Sequence, residues 1–161
     1  MSLSILGIFH TILGLGAIFV AVYVLSKDKQ FGLTGWLNKF YLAATVFTAA
    51  SALGIYKHDE FNDAHGLAVL TILAVVVGII ATKLDILGGF KKYFVALCFS
   101  STMLFHLLPT ATEILTRFPM DTPMVGSLQD PLLLKTFAVI VVCFLILLTL
   151  QLNWLRKNSN T

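Results

Sequence analysis

Five long runs of apolar residues divide the chain, and short polar connections separate them. The runs cover residues 3–25, 37–56, 64–82, 93–116 and 132–153. Each run is long enough to cross about 30 Å of hydrocarbon as an α-helix that rises about 1.5 Å per residue. The pattern predicts an all-α fold, a polytopic membrane bundle of five transmembrane helices that forms one domain over residues 1–161. A bundle of four spans is the alternative.

The composition supports a membrane protein. Of the 161 residues 58% are hydrophobic and 12% are charged, and the mean hydropathy is +0.91. The net charge of +3 comes from Lys and Arg that are scattered over the connections, so it indicates topology and not a nucleic-acid partner. Cys98 and Cys143 lie in apolar runs without CxxC spacing, and we expect both to be small buried residues. The first run lacks a basic residue before it and a cleavage site after it, so we interpret it as a retained span.

The distribution of Lys and Arg predicts the orientation. The first and third connections and the tail hold eight of these residues, against three on the opposite side. Positive charge concentrates on the cytoplasmic side, so the carboxyl terminus is predicted in the cytoplasm and the amino terminus outside. Trp36, Tyr93 and Trp154 fall at the predicted inner boundary, where interfacial aromatic residues are expected.

Small residues recur at helical spacing in the first four runs, as in Gly7, Gly14 and Ala21, and predict close helix packing. The fifth run is almost entirely apolar and is predicted at the periphery. Asp130 followed by Pro131 predicts the start of its helix. The connection before it, residues 118–131, is long enough to fold over the mouth of the bundle.

The fourth run carries a polar stripe on its second half. His106, Thr110, Glu113 and Arg117 follow one another at steps of four, three and four residues, so a helix places them on one face. Lipid cannot solvate that face, which must therefore contact other helices or a water-filled cleft. Pro109 lies in the same helix and predicts a kink beside His106.

All four histidines fall in the outer half of the predicted membrane or above it. His10 and His106 have matching predicted depths, His65 begins the third span, and His58 lies in an acidic connection with Asp59, Glu60 and Asp63. Imidazoles and carboxylates are ligands of transition metals and of haem. A site of His10, His65, His106 and Glu113 would suit a metal ion. His10 and His106 alone would suit haem b, with Arg117, Lys57 and Lys135 near its propionates.

Three interpretations therefore stay open. The pocket could bind haem b or a transition-metal ion for electron transfer, or it could form a proton or small-solute pathway. The histidines could also make only interhelical hydrogen bonds in a homo-oligomer or an accessory subunit of a larger membrane complex. The sequence contains no hydrolase nucleophile motif and no nucleotide-binding loop.

Three segments, residues 35–56, 61–81 and 104–119, resemble small multi-pass bacterial membrane proteins of a family of unknown function. That resemblance implies a helical bundle in the bacterial cytoplasmic membrane and supplies no activity. Members often carry a His-Arg pair before the second span, where this chain has Gly35 and Trp36. The chain is also similar in architecture to b561-type cytochromes, which are small bundles with histidines near one face.

Overall fold

The computed structural model describes residues 4–55 and 62–158, which form five α-helices and a short 3-10 segment. The elements are α1 (Ile5–Asp28), α2 (Trp36–Leu53), α3 (Asp63–Lys83), the 3-10 segment (Asp85–Phe90), α4 (Lys91–Arg117) and α5 (Pro131–Lys157). Each predicted apolar run corresponds to one helix, and the all-α prediction is confirmed. The 3-10 segment was not predicted, and it needs Gly88, whose φ of 46° belongs to the left-handed region that favours glycine.

Four of the described helices are long and apolar enough to cross a membrane: α1, α3, α4 together with the 3-10 segment, and α5. The second helix, α2, is not among them. It is the shortest of the five at 18 residues, and its first turn contains Asn38 and Lys39. A fifth span therefore stays a prediction.

The helices pack in chain order. α1 packs on α2, α2 on α3 and α3 on α4, and α4 also contacts α1, so the first four helices close into a bundle. α5 packs on the outer side of α4, and its long apolar face is exposed in a way that suits lipid. The predicted peripheral position of α5 is confirmed. The prediction that Cys143 is buried is wrong, because this residue lies on the exposed face of α5, whereas Cys98 on α4 is buried as expected.

Side-chain caps fix where helices begin. Asp130 accepts a hydrogen bond from the backbone N–H of Leu132, and Pro131 occupies the first helical position, as the sequence predicts. Asn62 caps α3 by accepting from the backbone N–H groups of Ala64 and His65. These caps satisfy backbone donors that an apolar environment could not solvate.

Different contacts hold the two ends of the bundle together. At the end where α1 finishes, buried Gln151 of α5 accepts from the Ser100 hydroxyl at 2.7 Å and donates to the carbonyl of Lys29 at 3.0 Å. Gln151 thus joins α5 to both α4 and α1. At the opposite end, the connection after α4 folds back, because the N–H of Val125 donates to the carbonyl of Leu115 and the Val125 side chain is buried.

The fourth helix is continuous through Pro109. The hydroxyl of Thr110 donates to the carbonyl of His106, a residue of its own helix. The kink predicted at Pro109 stays a prediction.

Candidate functional site

The second helix provides a polar inner face at the centre of the bundle. Tyr41, Thr45, Thr48 and Ser51 lie at steps of four and three residues and are all buried. The side chains of Tyr41, Thr45 and Ser51 and the carbonyl of Thr48 bind groups on α1 or α4, as described below. The sequence pattern does not mark this face, so its hydrogen-bonding role was missed.

His10 of α1 is held by α2 through one ring nitrogen. Nδ1 lies 3.0 Å from the carbonyl oxygen of Thr48 and 3.1 Å from the hydroxyl of Ser51, which itself donates to the Thr48 carbonyl at 2.8 Å. A carbonyl oxygen only accepts hydrogen bonds, so Nδ1 must carry a proton. In the neutral ring Nε2 is then left with a lone pair.

The hydroxyl of Thr48 adds an unsatisfied group beside His10. Its oxygen is buried and has no hydrogen-bond partner among the described residues. A methyl placed on Gly14, one turn after His10, would lie 3.3 Å from Thr48 Cγ2, so α1 and α2 are in close contact here. A buried hydroxyl without a partner is costly unless another group binds it.

His106 of α4 bonds to α2 through its other ring nitrogen. Nε2 lies 3.1 Å from the Thr45 hydroxyl. On the same two helices the Tyr41 hydroxyl lies 2.6 Å from the Thr102 hydroxyl, and Thr102 donates to the carbonyl of Phe99 at 2.6 Å. Two buried hydrogen bonds, His106 to Thr45 and Tyr41 to Thr102, therefore join α2 and α4.

The Thr102 hydroxyl sets the direction of the bond from Tyr41. Thr102 gives its only proton to the Phe99 carbonyl, so it must accept from Tyr41. The Thr45 hydroxyl can accept from Nε2 of His106 or donate to it, depending on the tautomer of the ring. When Nε2 donates to Thr45, Nδ1 of His106 keeps the lone pair.

His10 and His106 both contact α2, His10 at Thr48 and Ser51 and His106 at Thr45. Nothing in residues 4–55 and 62–158 hydrogen-bonds Nε2 of His10 or Nδ1 of His106. A metal-binding histidine commonly donates its second N–H to a carbonyl or another polar group, which fixes the ring and its tautomer. The ring of His10 meets that description, and the ring of His106 meets it in the tautomer that donates to Thr45.

His65 is buried but serves the end of its own helix. Its Nδ1 accepts from the backbone N–H of Asn62 at 3.2 Å, which completes a capping box at the start of α3. Its predicted role as a metal ligand stays a prediction. The signal for the cap was present in the sequence, since Asn62 lies three residues before His65.

Glu113 and Arg117 form an ion pair one turn apart on α4, and both side chains are partly exposed. Glu113 lies seven residues after His106, a rise of roughly 10 Å along the helix. The predicted residues His58, Lys57, Asp59 and Glu60 lie outside the described residues.

The described part of the chain contains no group of three or more His, Cys, Asp and Glu that could hold a metal ion. His10 and His106 share a helix that binds them both, since each contacts α2 within residues 45–51. Any further ligands at this pair would come from hydroxyls such as that of Thr48, from water or from an added molecule.

Comparison with protein-family models, with curated proteins and with solved structures finds no match for this chain. The resemblance to small bacterial membrane proteins of unknown function and to b561-type cytochromes therefore stays a hypothesis, and the function must be argued from the site.

Proposed function

We propose that this chain is a small integral membrane protein in which His10 and His106 bind a transition-metal ion that supports electron transfer. The observation that carries the proposal is the hydrogen-bonding of the two rings. Each ring has one nitrogen bonded to α2, on Thr48 and Ser51 or on Thr45, and one nitrogen that makes no hydrogen bond within the described residues.

The hydrogen bonds favour a bare ion over haem b. Haem iron would need to bind His106 through Nδ1, which is adjacent to the side-chain stem, so the macrocycle would collide with the main chain of α4. Binding through Nε2 would instead break the bond to Thr45. The contact of α1 with α2 at Gly14 and Thr48 also leaves little room for a flat macrocycle near His10. Imidazole nitrogen suits zinc, copper, iron and nickel.

The topology that accompanies this proposal has five spans, with the amino terminus outside and the carboxyl terminus in the cytoplasm of a bacterial cell. Two observations support it. His10 near the start of α1 contacts Thr48 and Ser51 near the end of α2, so the two helices are antiparallel. A helix of 18 residues rises about 27 Å, close to the hydrocarbon thickness.

Metal content tests the proposal directly. Protein purified from its native membrane in mild detergent should contain about one copper or iron ion per chain by elemental analysis, and its absorption spectrum should lack a Soret band. One zinc ion per chain would show a metal site but would contradict electron transfer, because zinc is redox-silent. A Soret band would show haem b in place of the ion. Protein that contains neither, after purification without chelators, would contradict a cofactor of either kind.

A second function, proton conduction, is supported by the buried hydrogen bonds of His106 to Thr45 and of Tyr41 to Thr102. Hydroxyl and imidazole groups in series can pass a proton by reversing each hydrogen bond. Against this function, Thr102 donates to the Phe99 carbonyl, which cannot pass a proton on. Proteoliposomes with an enclosed pH dye separate the two functions. Proton conduction predicts that the vesicle interior acidifies under an inward proton gradient and that Tyr41→Phe abolishes this acidification. The metal proposal predicts no acidification with either protein.

A further inference from the structure

We infer that the end of the bundle where α1 and α3 finish contains a binding site for an anionic phospholipid. The site is a pocket of about 600 Å³ between the end of α1, the end of α3, the 3-10 segment and the start of α4. It is independent of His10 and His106, which lie toward the opposite end of α1 and α4.

The lining of the pocket combines polar and apolar residues. Gln30, Lys91 and Lys92 make up its polar part, and Phe31, Val95 and Ala96 make up its apolar wall. Phe31 and Ala96 are buried side chains that belong to the interior of the bundle. A phospholipid has this same division between a charged headgroup and an apolar tail, whereas a free phosphate ion would use only the polar side.

Both lysines that line the pocket have polar or aromatic partners outside its lining. Lys91 lies 3.1 Å from the carboxylate of Asp85, whose side chain is fully exposed. Lys92 donates to the carbonyl of Leu155 at 3.3 Å and lies over the ring of Tyr93. An ion pair with an exposed carboxylate contributes little, so Lys91 can exchange that partner for a phosphate at small cost.

The charge of this end also favours an anionic ligand. The connections and tail here hold eight Lys and Arg residues and only two acidic residues, Asp28 and Asp85. The other six acidic residues of the chain belong to the opposite end, which holds three basic residues. Basic pockets between transmembrane helices are sites where anionic headgroups bind.

The test uses the full chain in nanodiscs of phosphatidylcholine with a minor fraction of phosphatidylglycerol, and native mass spectrometry counts the phosphatidylglycerol that stays bound. The variant Lys91→Gln/Lys92→Gln should lose about tenfold in retention, since a lysine near an anionic lipid contributes on the order of 1 kcal/mol and Lys91 is partly neutralised by Asp85. The matched control is Lys39→Gln/Lys157→Gln, which removes two charges from the same end outside the pocket and should retain the lipid.

Equal loss in the two double variants would show attraction by overall charge, and unchanged retention in the pocket variant would show that these lysines do not bind lipid. Either result overturns the inference. Displacement of the lipid by millimolar inorganic phosphate would also overturn it, because the ligand would then be a soluble anion. A second variant, Val95→Trp, keeps both lysines but fills the apolar wall, and it too should lower retention. Normal retention in Val95→Trp would exclude this pocket as the site.

Discussion

Replacing Gly78 by alanine is expected to lower the free energy of unfolding by about 1–3 kcal/mol, the usual cost of overpacking a filled interior. A methyl group at this position would lie 2.5 Å from the ring of Phe99 and 3.1 Å from Cβ of Cys98. Real side chains do not approach so closely, so α3 and α4 would have to move apart. Valine at the same position should cost more, because it adds two further methyl groups.

Gly66 supplies the matched control. It lies on the same helix, and a methyl group there would meet nothing within 4 Å. Gly66→Ala should therefore be neutral or slightly stabilising, since alanine has the higher helix propensity. Unfolding in mixed detergent micelles measures both variants. Adding Phe99→Leu to Gly78→Ala should recover part of the lost stability. Equal effects of alanine at Gly66 and at Gly78 would show that the close approach of α3 and α4 does not determine the cost.

Replacing His10 or His106 by glutamine is expected to weaken zinc binding by more than about a hundredfold. The loss of a partner that only orients a ligand lowers metal affinity by about 10–100-fold, and the loss of a ligand lowers it further. Thr45→Val removes the hydroxyl that bonds His106 and should weaken zinc binding by about 10–100-fold. Equilibrium dialysis of the full chain in detergent measures the affinities.

His65→Gln is the control for these variants. Glutamine can also complete the capping box at the start of α3, so the variant should fold. We expect zinc affinity to stay close to that of the unchanged protein. A loss in His65→Gln as large as in His10→Gln would show that the site extends to His65, as the sequence predicts, and that the pair by itself is not the centre.

The helices could be predicted because their ends are marked in the sequence. Asp130 and Pro131 start α5, and charged residues such as Lys83 and Arg117 end α3 and α4. The lack of polar residues along most of α5 predicted its outer position. Gln151 is the exception, and its contacts with Ser100 and Lys29 depend on how three helices meet, which the apolar pattern does not contain.

The site could be predicted only in part. Both His10 and His106 are candidates from their depth alone, because an ionisable residue inside a membrane span needs a partner. Their partners on α2 could not be predicted, since a threonine hydroxyl usually bonds to a carbonyl of its own helix, as Thr71 and Thr110 do here. Only the packing of α2 between α1 and α3 shows that Thr45 reaches α4 instead.

Nitrogen-15 NMR of the histidine side chains during a zinc titration tests the central claim, that His10 and His106 share one metal ion. The full chain in nanodiscs should show a proton on Nδ1 of His10 and on Nε2 of His106 before zinc is added. Zinc, a redox-silent substitute for the native ion, should shift Nε2 of His10 and Nδ1 of His106 together and saturate at one ion per chain. A shift of only one ring, or of neither, would contradict the claim.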